Sequence, residues 1–302
     1  MNVTSEVPQG SVLGPLLFVI FINDLMINIF NKLELFADYT KMMSQILNEN
    51  SCKDLQEDLI KLLEWSEEWS IKFNEEKCKV MHIGRSNPQF EYKMNGHILQ
   101  ETEIERDLGV IISKDLECGH HVISATNKAN RKLGMIKHSF NYLDVTTMKF
   151  LYKSMVRPHL EYAATVWSPS WVKDINRLED VQRRATKIEQ LKGMTYEERR
   201  KILNLPTLAE RKRRGDLIEM FKITNLPNYI NFVEPLRYFN SISRNWHNKR
   251  PHREAVQTGK ARFRHYFLTN RVVDDWNPLT QETIDSTNKN LFKNRIDKTL
   301  KF

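Results

Sequence analysis

Between Arg237 and Arg271 the chain holds 9 lysines and arginines against one acid, Glu254, with Tyr238, Trp246, Phe263, Tyr266 and Phe267 set among them. Cationic side chains neutralise phosphates and aromatic faces stack on unpaired bases, so this composition suits a surface that takes RNA or DNA. A solvated loop with its own small hydrophobic cluster has the same composition, and both readings stay open. A second basic run, Arg177 to Arg214, carries 12 Lys/Arg against 6 Asp/Glu. The candidate nucleic-acid contacts are Arg183, Arg184 and Lys187 in one run and Arg262, Phe263 and Arg264 in the other. Cys118, His120 and His121 are residue types that bind zinc, but no second Cys/His pair stands at finger spacing, so no zinc site is expected.

Charge is divided along the chain. Residues 1–120 carry 11 Lys/Arg and 20 Asp/Glu, whereas residues 121–302 carry 35 and 18, a net of +17. An acidic body joined to a basic portion fits a partner that is a polyanion, and equally a set of solvated helices. At 302 residues and 40% hydrophobic, the chain can build one large core or two modest ones. Three cysteines without paired spacing fit reduced thiols, hence an intracellular protein, nucleus or cytoplasm undecided. The apolar stretch from Val12 to Ile22 is shorter than the roughly 20 residues a membrane span needs, and no signal-peptide pattern accompanies it. No membrane partner is expected.

The elements that must position these residues change character near residue 117. Before it the pattern is α+β. A buried helix is expected over 15–29, with Pro15 in its first turn. Strands are expected at Leu33–Ala37 and Lys41–Ile46, with Asp38-Tyr39 at the turn between them. Ser51 and Asp54 form an apparent capping box for a helix carrying Leu55, Leu59, Leu62 and Trp69 and stopping near Phe73. Trp65 and Trp69 are read as core rather than as a base-stacking platform. Strands follow at Val80–Gly84, Phe90–Met94, His97–Leu99 and Leu108–Ile112, with Asn95-Gly96 as a hairpin turn. After residue 117 helices are predicted at 119–141, 144–156, 159–168, 172–191, 195–203 and 207–223. Asp144 and Thr195 act as caps, and Pro158 and Pro206 as stops. Residues 225–258 read as loop, with short helical patterns at 262–276 and 288–300.

Several blocks carry a family resemblance. Val7-Pro8-Gln9-Gly10-Ser11-Val12-Leu13-Gly14-Pro15-Leu16-Leu17-Phe18, Ile22-Asn23-Asp24-Leu25 and Leu35-Phe36-Ala37-Asp38-Tyr39-Thr40 come first. Then follow Leu63-Glu64-Trp65, Phe73-Asn74-Glu75-Glu76-Lys77, Asp107-Leu108-Gly109-Val110, Val156-Arg157-Pro158-His159-Leu160-Glu161-Tyr162, Trp167-Ser168-Pro169, Val181-Gln182-Arg183-Arg184-Ala185 and Trp276-Asn277. In this order they resemble the reverse transcriptase of jockey-like non-LTR retrotransposons. The resemblance implies an α+β partial palm, a small antiparallel sheet with helices, over 1–116. It implies a mainly helical thumb over 117–224 and a basic, loop-rich C-terminal extension over 225–302. The implied activity is RNA-directed DNA polymerisation with Mg²⁺. It would place Gln9 and Gly10 near nucleotide and template, Asp38 at the metal and Lys77 where pyrophosphate is protonated. A plain Pro-Gln-Gly turn and a solvated lysine are the bland alternatives for these last positions.

The departures from the pattern bear on chemistry. Phosphoryl transfer of this kind uses two divalent ions roughly 4 Å apart, held by rigid carboxylates. The family turn reads Phe/Tyr-Ala-Asp-Asp, and here Tyr39, a neutral phenol at pH 7, takes the place of the second aspartate. Glu6 stands where Gly is usual, and the strand that would supply the other family aspartate is expected to be missing. Loss of one metal ligand costs about three orders of magnitude or more in rate. The expectation is a degenerate site with Mg²⁺ binding lost, polymerase activity absent even after Tyr39→Asp, an unpaired sheet edge beside 33–46, and residual RNA or DNA binding. An active polymerase completed by upstream sequence or by a partner, and a non-functional relic, are the alternatives.

Overall fold

The computed structural model describes residues 13–84, 86–227, 229–230, 232, 235–239, 247–255 and 262–300. They form two compact units, divided between Ile104 and Glu105. Gln9 and Gly10 lie outside the described residues.

In the first unit, α1 (Leu13–Ile22) is followed by a 3-10 turn at Asn23–Met26, so the helix is shorter than the pattern suggested. It is not buried. Its ten residues are all apolar or glycine and proline, and Leu13 and Ile20 remain 60% and 64% exposed. A helix apolar on every side can bury only the face a neighbour covers. Here Phe21 meets Trp65 and Trp69 edge-on, at 5.8 and 5.0 Å between ring centres, and Leu25 of the following turn is buried. Trp65 is therefore half-buried and Trp69 still 41% exposed, so the pair forms a partly covered cluster with Phe21 and not a closed core.

The chain then enters β1 (Lys32–Phe36) and β2 (Tyr39–Met43), an antiparallel pair with Lys32 opposite Met43 and Phe36 opposite Tyr39. The turn is thus Ala37-Asp38, and Tyr39 is the first residue of the return strand. Ala37 takes a φ of +51° to close this two-residue loop. Two strands make up this sheet, so each has an unpaired outer edge among the described residues. The cap of α2 (Glu49–Glu68) is Asn48 and not Ser51: its side chain accepts the Ser51 N–H at 3.0 Å. The remaining strands are two-residue pieces: β3 (Lys79–Val80), β4 (Lys93–Met94), β5 (His97–Ile98) and β6 (Gln100–Glu101). β3 runs parallel to β6, while β4 and β5 close over Asn95-Gly96, both at positive φ. Tyr92, Met94 and Leu99 pack with Leu55, Leu59 and Leu63 of α2 as the core of this unit.

The second unit opens on a hairpin of β7 (Ile104–Asp107) and β8 (Val110–Ser113), of which the first strand was not foreseen. Its turn is Leu108-Gly109, again both at positive φ. Glycine is needed twice over, since a Cβ on Gly109 would stand 3.1 Å from the Tyr162 ring, whose hydroxyl donates to Leu108 O at 2.8 Å. Helices follow: α3 (Gly119–Ser139), α4 (Val145–Leu151), α5 (Arg157–Glu161), α6 (Val172–Ala185), α7 (Tyr196–Leu203) and α8 (Leu208–Asn225). Asp144 caps α4, and Thr195–Glu198 and Thr207–Glu210 form full capping boxes.

Pro158 does not stop a helix. A π-helical turn at Tyr152–Val156 joins α4 to α5, with Arg157 N–H reaching Tyr152 O, and Pro158 sits in the first turn of α5, where no N–H is missed. Val122, Ala129, Tyr152, Val156 and Val181 lie in one core. The tail adds α9 (Arg262–His265), α10 (Leu268–Arg271), α11 (Val273–Trp276), α12 (Gln281–Ile284) and α13 (Lys289–Leu300). Trp276, Phe292 and Ile296 pack on Leu217, Met220 and Phe221 of α8, so that one helix serves both cores. The whole is α+β, with small sheets up to Ser113 and, among the described residues beyond it, helices and one isolated bridge, Tyr238 to Pro251.

Candidate metal turn and nucleic-acid interface

The hairpin that carries Asp38 is anchored at its open end, away from the turn, by a buried carboxylate. Asp58 of α2 accepts from Asn31 N at 2.7 Å and Asn31 Nδ2 at 2.9 Å, just before β1 begins. Lys61 donates to Asp58 at 2.9 Å and to Asn28 O at 3.0 Å. Burial would raise the Asp58 carboxyl, but the Lys61 and Asn31 hydrogen bonds outweigh it and hold it below the ordinary value. At the tip the Asp38 side chain is exposed, as is Tyr39, and Asp38 makes no hydrogen bond or ion pair with a described side chain. The nearest acid along β1, Glu34, faces Lys32 at 2.8 Å and Lys41 at 3.9 Å.

A hard divalent ion needs several oxygen ligands from rigid positions, and this turn offers one carboxylate beside a phenol. Among the described residues no three His, Cys, Asp or Glu side chains converge on a common point. The donor set at Asp38 does not fit Mg²⁺. Lys77 ends a 3-10 turn at Glu75–Lys77 and is exposed, with no partner for its ammonium among the described residues.

Arg183, Arg184 and Lys187 are brought together at the C-terminal end of α6, all exposed. Arg183 pairs with Asp180 at 2.5 Å, and Arg184 Nε donates to Asp180 O at 3.2 Å. Lys137, at the end of α3, donates to Arg184 O at 2.9 Å and Lys187 O at 3.3 Å, capping the helix. Burial, then the charges of Lys187 and Arg184, push the Lys137 ammonium down. Three positive side chains thus share one helix end, and Lys187 has no acid paired with it among the described residues.

Phe263 and Arg264 lie exposed on α9, while nothing is described of the Arg262 side chain. Buried Asn270 ties this helix to the preceding strand segment: it accepts from Glu254 N at 3.0 Å and donates to Arg264 O at 2.9 Å. That segment pairs with Arg237–Phe239 through Phe239 N to Arg250 O, 3.0 Å, and His252 N to Arg237 O, 2.8 Å. Phe239 lies against the His252 ring and under the Arg250 guanidinium, 3.6 and 5.2 Å from their centres. Half-exposed aromatic rings and cations therefore alternate across this patch.

Other members of the two basic runs are spoken for. Arg211 forks onto Glu161, Arg213 onto Asp275, Arg214 onto Asp297, and Arg271 onto Asp216. These pairs fasten α8 to α5, α11, α13 and α10. Sequence reasoning had no signal for them, because the acids are 50 to 83 residues away. It also passed over Tyr196, around which Arg183, Arg199 and Arg200 gather; a Tyr-x-x-Arg-Arg spacing on a helix was the available sign.

Comparison with known proteins adds kinship to this geometry. Residues 2–147 match the family described as reverse transcriptase (RNA-dependent DNA polymerase). A probable RNA-directed DNA polymerase from transposon BS of Drosophila melanogaster is 28% identical over 201 residues, covering 59% of this chain and 21% of that protein. The RNA-directed DNA polymerase from mobile element jockey of the same fly is 24% identical over 193 residues, covering 60% and 21%. A probable RNA-directed DNA polymerase from its transposon X-element is 26% identical over 200 residues, covering 62% and 22%. The chain thus spans about a fifth of the length of the curated relatives it matches. No solved structure matches it.

Proposed function

We propose that this chain, a relative of the jockey-like non-LTR reverse transcriptases, keeps their affinity for nucleic acid and has lost their polymerase chemistry. Residues 1–116 descend from the palm, 117–224 from the thumb and 225–302 from the C-terminal extension. The observation that carries the reading is the Ala37-Asp38 turn, where Tyr39 opens the return strand and presents a phenol in place of a second carboxylate. Asp38 alone cannot neutralise the charge that builds on a triphosphate during in-line transfer. Binding needs no such centre. The basic helix end around Arg183, Arg184 and Lys187, and the aromatic and cationic patch that includes Phe263 and Arg264, supply what sequence-tolerant binding of RNA or DNA requires.

Primer extension on an RNA template, with Mg²⁺ and separately with Mn²⁺, tests the first half. The expected result is no template-dependent incorporation above a no-protein control, and clear incorporation overturns it. Gel shifts of single-stranded RNA at several salt concentrations test the second half. Binding should weaken steeply with salt, and no shift at low salt removes the binding role. The coverage of a fifth of each relative favours a second reading, a segment of a longer polymerase. That reading predicts incorporation once the longer chain is expressed, with Tyr39 tolerated at the turn.

A further inference from the structure

Arg199, on α7, is 93% buried, and its side chain makes no hydrogen bond or ion pair with any described residue. Its Nε is enclosed without a partner, as is the Nε of Arg200. An enclosed guanidinium nitrogen without an acceptor is costly, and natural proteins nearly always satisfy it. Three acids of the adjoining segments, Asp180, Glu179 and Glu210, already have partners. Asp180 holds Arg183 at 2.5 Å. Glu179 takes the Tyr196 hydroxyl and, at 2.9 Å, Leu208 N. Glu210 takes Thr207 N at 2.7 Å and touches Arg200 only at 3.5 Å. Three guanidinium groups gather about Tyr196, the Arg183, Arg200 and Arg199 carbons lying 5.0, 5.6 and 6.0 Å from its centre, and of these only Arg199 has no ion pair among the described residues. Tyr196 itself is pinned by Glu179 and by Gln182 Nε2 at 2.9 Å, so the platform is fixed before any ligand arrives.

We infer that Arg199, flanked by Arg183 and Arg200 on the Tyr196 platform, is a phosphate-binding position. A guanidinium presents a planar fork of donors that matches phosphate oxygens, and a phosphate dianion or backbone monoanion would supply the acceptors that the Arg199 side chain lacks. A backbone phosphate of a bound nucleic acid is the source the surrounding charge favours, since residues 121–302 carry 35 Lys/Arg against 18 Asp/Glu. That assignment of source rests on the nucleic-acid reading above; the phosphate site itself does not.

The test uses the full chain, wild type, Arg199→Gln and Arg199→Lys. Thermal unfolding is followed with inorganic pyrophosphate, against sodium chloride of matched ionic strength, and binding of an unphosphorylated single-stranded RNA is followed by anisotropy at several salt concentrations. Pyrophosphate should raise the wild-type midpoint and leave Arg199→Gln unmoved, with Arg199→Lys between them. The salt slope of RNA binding should fall by about one unit in Arg199→Gln. Without the anion, Arg199→Gln should unfold no earlier than wild type, because it removes an unpaired buried charge. No pyrophosphate response in the wild type, or an early-unfolding Arg199→Gln in plain buffer, overturns the inference and leaves a packing arginine. A pyrophosphate response lost in Arg199→Gln with the RNA slope unchanged keeps the site and assigns it to free phosphate. Absence of RNA binding by the wild type defeats the proposed function while the pyrophosphate arm still decides this one.

Discussion

Arg271→Gln should loosen the second unit without touching nucleic-acid binding, although Arg271 closes the more basic of the two runs. Its side chain is nearly buried and donates five hydrogen bonds: to Asp216 at 2.9 and 2.7 Å, to Tyr266 O at 2.8 Å, to Thr165 O at 2.9 Å and, longest, to Ala164 O at 3.5 Å. Glutamine reaches at most two of these acceptors and leaves Asp216, itself 6% exposed, with Lys212 at 2.9 Å as its remaining cation. Breaking a buried pair on one side costs about 3–5 kcal/mol, and the surviving lysine places this case near 3. In a unit of about 200 residues each kcal/mol moves the midpoint by about 2–4 °C, so a fall of about 6–12 °C is expected in scanning calorimetry. Arg271→Lys keeps the charge but not the fork and should fall between. RNA binding measured well below the new midpoint should keep its wild-type salt slope. A stability loss under about 1 kcal/mol, or a slope lowered by one unit, refutes the assignment of Arg271 to structure.

The exposed members of the same run should behave in the opposite way. Arg264→Gln should reduce the salt slope of RNA binding by about one unit with the midpoint unchanged, and Phe263→Ala should weaken single-stranded ligands by about 1–3 kcal/mol if the ring stacks on a base; equal binding by both variants and the wild type removes α9 from the interface. Asp58→Asn should destabilise the first unit by about 2–3 kcal/mol in urea titration at pH 7. Because the folded Asp58 carboxyl is held below the ordinary 3.8, its contribution is complete above that value and is lost as pH falls through the folded one, so the gap between wild type and variant should be constant well above pH 3.8 and narrow progressively below it. Burial and then Arg271 push the Lys212 ammonium down to about 8, against 10.5 ordinarily. The unfolded chain therefore binds the extra proton between those values, and stability should rise with pH across that window; Lys212→Met should abolish the rise.

What could be read in advance follows from how local each signal is. Asn95-Gly96 closes its hairpin, and Asp144 and Thr195 cap their helices, because cap and turn chemistry acts over two to four residues. Pro158 was misjudged by the same logic: its missing N–H suggests a stop, but a π-helical turn over Tyr152–Val156 lets the helix restart around it. The helix α1 was visible and its burial was not. Apolarity says that a segment avoids water, and not which neighbour covers it. The strand β7, Ile104-Glu105-Arg106-Asp107, carries three charged residues in four and depends on pairing with β8 that no local preference announces.

The candidate site divides along the same line, with a sharper consequence for function. That Asp38 stands at the tip of a tight hairpin was legible, because a turn and its two strands are contiguous. Which arginines are paired inside the fold was not, because the deciding acids are remote: Glu161 for Arg211, Asp275 for Arg213, Asp297 for Arg214 and Asp216 for Arg271. A count of 12 Lys/Arg over Arg177–Arg214 treats these as one surface. Pairing separates the two basic runs into arginines whose charge is cancelled inside the unit and a set, Arg184, Lys187, Arg199 and Arg264 among them, that pair with no acid among the described residues. Counterion release scales with the phosphates a protein neutralises and not with its net charge, so the salt slope should track that unpaired set. A slope much larger than the unpaired cations can supply would mean that the internal pairs open on binding.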